Sequence, residues 1–159
     1  MTHRASTSKE ALEMLAEQWK PLLGLGEWTV RVDLVDFTRS WQQGDVKVDP
    51  VAKEALILMA RTPFRNEEQT LLHELVHVVL WPLDQACMDL AEGVGEPGSR
   101  EQELAKSMVF RALEPVTEQV TQALLRASGR QVHHAWRMLE EEAEPRRKQP
   151  LADRDESRF

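Results

Sequence analysis

The sequence predicts an α+β fold in a single domain, and three observations predict it. An N-terminal segment carries apolar residues at helical spacing, and a run of strict apolar–polar alternation follows it. Beyond two further short strands comes a long helical segment with one wide apolar arc. The chain has 159 residues, 42% of them hydrophobic, which is enough for one ordinary core. The domain is expected over residues 1–144. The remainder, 145–159 (PRRKQPLADRDESRF), lacks apolar periodicity and reads as a disordered charged tail.

Element by element, residues 1–5 read as a loose start, and Ser6 or Ser8 caps a helix. Leu12, Leu15, Trp19, Leu22 and Leu23 form its apolar face, and Gly24 and Gly26 end it. From Trp28 to Phe37 the period changes to two, with Trp28, Val30, Val32 and Leu34 on one face of a half-buried strand. Gln42-Gln43-Gly44-Asp45 signals a turn before a short strand, Val46–Val48, which Asp49-Pro50 breaks. The compact apolar run Glu54–Ala60 (EALILMA) reads as a third strand. Asn66, with Gln69 three residues on, makes a capping-box-like start to a helix whose Glu67 and Glu68 suit the positive end of its dipole. Pro82 is expected to stop that helix. Gly93, Gly95, Pro97 and Gly98 mark an irregular loop. Ser99 then caps a helix running to Leu113, with Pro115 forcing a kink or a restart. Val116–Ala127 and Val132–Glu144 read as further helices separated by Ser128-Gly129.

Charge and composition narrow the function classes. Lys and Arg number 20 against 27 Asp and Glu, a net charge of −7, which argues against non-specific nucleic-acid binding or docking on an anionic membrane. The single cysteine, Cys87, allows neither an intramolecular disulfide nor a Cys-rich zinc knuckle. The first twenty residues contain no apolar stretch of the signal-peptide kind. The longest apolar run, Leu75–Leu83, is broken by His77 and Pro82. The expectation is a cytoplasmic protein with no membrane segment.

The helix after Asn66 contains HELVH: His73, Glu74, Leu75, Val76 and His77. Positions i and i+4 stand one turn apart on one face, so both imidazoles can point at one ion. Neutral imidazole is a good zinc ligand. Glu74 lies about 100° around the helix from His73, beside the ion without having to bind it, where its carboxylate can take a proton from a zinc-bound water. Together these parts describe a peptide-hydrolysis site. The plainer alternative is that His73, His77 and Glu74 line a polar seam facing solvent. The metzincin pattern needs Gly at position 80 and His at 83, where the chain has Leu80 and Leu83. No histidine lies between His77 and His133, so the third ligand is sought among Asp84, Asp89, Glu92, Glu96, Glu101 and Glu103. In the helix after Ser99, an inward stripe of Leu104, Ala105, Met108, Val109 and Ala112 is expected. Glu101 lies in line with it and Glu103 on the opposite side, so Glu101 is the preferred ligand and Glu103 the next choice.

The amphipathic first helix, WTVRVDLVDF, two more short strands, TLLHELVHVVL and the downstream EQELAKSMVFRAL together resemble the small zincin-type metallopeptidases over residues 10–125. The nearest likeness is to short metallopeptidases encoded by phages and prophages, and more distantly to the ImmA/IrrE-like and SprT-like groups. The resemblance implies a zincin-like three-stranded sheet packed on the active-site helix, Zn2+ held by His73 and His77, and Glu74 as general base. In ImmA/IrrE-like members a Glu stands three and four residues before a small apolar pair, as Glu101 does before Leu104 and Ala105. The Asn or Asp common after that point and the third histidine of SprT-like members are both absent.

The resulting expectation is a gluzincin-like zinc metallopeptidase acting on a peptide or protein. The alternative is a non-catalytic, zinc-stabilised binding or assembly protein, for instance of phage origin. The chain has no tyrosine, so oxyanion stabilisation would fall to zinc, a backbone N–H, Arg100, Arg111, His133 or His134. Trp19, Trp28, Trp41, Trp81 and Trp136 read as core and rim residues.

Overall fold

A computed structural model describes residues 8–62 and 66–132. The expected loose start, the helix beyond Val132 and the charged tail lie outside the described residues. Helix α1 spans Lys9–Trp19, and of the two candidate caps it is Ser8 whose hydroxyl accepts the Ala11 N–H. Leu12, Ala16 and Trp19 are its buried face. A 3₁₀ turn, Lys20–Leu23, extends it and ends at Gly24, whose φ of +72° suits a residue without a Cβ.

Three strands follow: β1 (Thr29–Val35), β2 (Gly44–Asp49) and β3 (Glu54–Ala60). They form one mixed sheet in the order β1-β3-β2, with β1 parallel and β2 antiparallel to β3. The register aligns Val30 with Ala55, Val32 with Ile57 and Leu34 with Met59, and sets Val46 and Val48 opposite Ile57 and Ala55. One face is therefore continuous apolar surface. With Leu12, Leu71, Leu72 and Leu75 it makes the core beneath α1 and the next helix. The alternating pattern expected from Trp28 onward is the observed one, and Glu54–Ala60 is a strand.

Helix α2 spans Glu67–Glu92 and helix α3 spans Arg100–Ala127. Both correct the expected boundaries, because α2 runs through Pro82 and α3 through Pro115. Each proline sits at an exposed position, where water can reach the carbonyl left without an N–H partner. Packing of the flanking turns offsets the rest of the cost. The two helices form an antiparallel hairpin fastened near its loop by a side chain: Ser99 accepts the Gln102 N–H, the Gln102 carbonyl accepts the Gly98 N–H, and its amide donates to the Glu92 carbonyl at 2.7 Å. At the far side Arg130 ion-pairs with Glu68 and stacks on Trp19, whose indole N–H also donates to Glu68.

The inward face of α3 differs from the expected stripe. Leu104 and Met108 are 58% and 63% exposed, while Gln102, Thr117, Thr121 and Leu125 are buried. Thr117 donates its hydroxyl to the Leu113 carbonyl and Thr121 to the Thr117 carbonyl, so both enter the interface with their polar groups satisfied. A search for apolar letters passes over such residues. Among the described residues, no helix is long and apolar enough to cross a membrane.

Candidate metal centre

The face of α2 turned toward α3 presents His73 and His77, one turn apart as their spacing requires, with ring centroids 4.9 Å apart. Their Nε2 atoms approach to 3.2 Å. The third member comes from α3, and it is Glu114. One of its oxygens lies 3.3 Å from His73 Nε2 and the other 3.1 Å from His77 Nε2. Among the described residues, these three are the group of His, Cys, Asp or Glu able to hold a metal ion.

Glu101, the expected ligand, is not among them. It stands exposed in the first turn of α3, thirteen residues before Glu114, which is about 20 Å along a helix axis. Glu103 is exposed in the same turn. The cause is Pro115: a helix taken to end at Leu113 removes Glu114 from consideration, whereas a continuous α3 turns it toward the histidines. The signal that could have found it lies in the sequence Glu114-x-x-x-Glu118, two carboxylates one turn apart on one face.

Glu118 completes the surroundings. Its carboxylate accepts from His73 Nδ1 at 2.9 Å and also receives the side-chain amides of Gln69 and Gln122. A proton held on Nδ1 leaves the Nε2 lone pair free for a cation, the outer-shell arrangement that orients metal-bound histidines. Glu118→Gln is accordingly expected to weaken binding of a divalent metal ion about 10–100-fold without unfolding the chain, as measured by competition with a chromogenic chelator.

Glu74 is 6% exposed and lies against the start of β2. It is packed so closely against Gly44 that a Cβ there would fall 2.1 Å from its Oε1. Gly44, expected as part of a turn, instead opens β2, and its missing side chain is the space Glu74 occupies. Burial pushes the Glu74 carboxyl up to about 7, against the charge of His73 and His77 and aided by Glu114 and Asp45. Burial also pushes Glu114 upward, but hydrogen bonds from both imidazoles, with their charge, outweigh it and hold that carboxyl at about 2.

His73, His77, Glu74 and Glu114 line a cleft of about 400 Å³, together with β2, the loop before it, Trp81 and Asp84 of α2, and Phe110 and Leu113 of α3. Arg39 lines it too, stacked on Trp41 at 5.5 Å. Arg100 and Arg111 are exposed and stand outside it, and His133 and His134 lie outside the described residues. A larger concavity, about 540 Å³, lies on the opposite face of the sheet, where Lys9 pairs with Asp33. The metal-type donor group is elsewhere.

The donor set fits a first-row cation. Bonds of 2.0–2.1 Å at tetrahedral angles separate neighbouring ligand atoms by about 3.3–3.4 Å. The two imidazole Nε2 atoms stand 3.2 Å apart and Glu114 meets each with a different oxygen, at 3.1 and 3.3 Å, so that one donor atom from each of the three residues lies within 4.8 Å of the others. Two imidazoles and one carboxylate are a combination zinc takes readily, and other divalent first-row ions can share it. No family model, curated protein or solved structure matches the chain.

Proposed function

We propose that the protein is a zinc metallopeptidase with a zincin-like arrangement, in which His73, His77 and Glu114 hold the ion and Glu74 is the general base. The observation that carries the proposal is the grouping of one donor atom from each of those three residues within 4.8 Å of the others, with a buried carboxylate beside them. Zinc bound by three protein ligands supplies Lewis acidity toward a carbonyl and a water acidified to near neutral pH. The chain's own residues do the rest. Glu118 fixes the His73 tautomer through Nδ1. Glu74 receives a proton at its carboxylate and returns it to the leaving amine. Gly44 leaves room for Glu74 to sit against the strand at the edge of the cleft.

A peptide is the substrate the surroundings favour. Strand β2 pairs with β3 on one side only among the described residues, and its residues Gly44, Asp45 and Val46 line the cleft. A sheet edge offers backbone donors and acceptors to an extended chain.

The competing reading, a zinc-stabilised binding or assembly protein, calls for a closed site with four protein ligands. Three such ligands are grouped among the described residues, and Cys87 is not one of them, which favours the enzyme. Incubating the zinc-loaded full chain with an unfolded protein such as casein should release peptides detectable by mass spectrometry. Chelation should stop the release and added zinc restore it; cleavage at the same rate in excess chelator overturns the proposal.

A further inference from the structure

The cleft is rimmed by aromatic rings placed in a definite relation to the ligands. Trp81 follows His77 by one turn of α2, and Phe110 precedes Glu114 by one turn of α3. Trp41, three residues before Gly44, faces them from the loop leading into β2. Leu113 extends the same wall.

Trp41 and Phe110 are 48% and 59% exposed, although each is a large apolar group whose covering would be favourable. Their exposure is not scattered: both border one cavity, and that cavity holds the donor group. Four residues of helix rise about 6 Å, so the positions of Trp81 and Phe110 are displaced from the ligands by nearly two residues of an extended peptide, a distance that a large side chain spans. A bond held over the ligands therefore leaves these rings within reach of a large side chain on a residue flanking that bond, and out of reach of a small one. The volume, about 400 Å³, accommodates a large side chain together with a short stretch of backbone.

On this basis, and resting on the peptidase reading above, we infer that the Trp41–Trp81–Phe110 wall selects peptides with a large apolar side chain, aromatic or long aliphatic, on a residue adjoining the cleaved bond. A glycine or charged residue there leaves the rings wet or strands a charge against them.

The test uses binding rather than turnover. Two short peptide hydroxamates are titrated calorimetrically into the zinc-loaded full chain, one carrying a phenylalanine side chain beside the hydroxamate and one carrying glycine. The phenylalanine compound is expected to bind at least tenfold more tightly. In the chain carrying Trp41→Ala and Phe110→Ala, both at exposed positions that folding tolerates, that ratio should fall below threefold. Equal affinities in the unaltered chain, or a ratio that survives both substitutions, overturn the selectivity while leaving the metal site standing. A zinc-loaded chain that binds neither compound overturns the peptidase reading and the selectivity with it.

Discussion

Glu114→Ala should lower zinc affinity by more than about 100-fold, a loss beyond that of an outer-shell change, while Glu101→Ala leaves the affinity within twofold of the original. The contrast isolates the contribution of α3 to the site, because both residues lie on the same helix and only one approaches the histidines. Competition with a chelator of known affinity gives both values in one experiment. Circular dichroism should show both variants folded, since neither side chain belongs to the apolar core. Loss of zinc in Glu101→Ala with retention in Glu114→Ala would mean that the helices pack differently from the arrangement described.

Glu74→Gln should separate binding from chemistry. Glutamine nearly conserves the volume in the pocket beside Gly44 and leaves His73, His77 and Glu114 in place, so zinc stays near one equivalent. Peptide cleavage should fall about a thousandfold, within the range general-base catalysis contributes. Gly44→Ala approaches the same carboxylate from the opposite side. A methyl group 2.1 Å from Glu74 Oε1 must push it out of place, and a shift of that size is expected to reduce cleavage on the order of 100-fold with zinc retained. Full activity in Glu74→Gln would remove Glu74 from the mechanism.

Much of this arrangement was legible in the letters. The period-two run from Trp28 and the apolar EALILMA segment specify strands because side-chain alternation has to match a two-sided sheet. HELVH specifies two imidazoles on one face because the helix period leaves them no other disposition. The third member of the donor group was not legible, for two separable reasons. Proline carries a strong local penalty, and reading Pro82 and Pro115 as stops cut both helices short, whereas the packing of α2 along α3 overrides that penalty at exposed positions. The contact face of α3 is also built from Gln102, Thr117 and Thr121, polar residues that satisfy themselves on the backbone or across the hairpin. An apolar stripe through Leu104 and Met108 pointed to the wrong side of the helix, and Glu101 was selected along with it. Gly44 was legible as a glycine but not as the partner of Glu74, since its role depends on a residue thirty positions away.

The hairpin is pinned twice, by Gln102 on the Glu92 carbonyl and by Glu118 on Gln69 and His73. Between those pins the phase of α3 is locked. One residue gained or lost there would rotate everything beyond it by about 100° and carry the carboxylates away from the imidazoles. The same change in the Gly93–Ser99 connection alters no phase. Length along this chain is therefore held rigid by chemistry in one stretch, and a few residues earlier it is left free to drift.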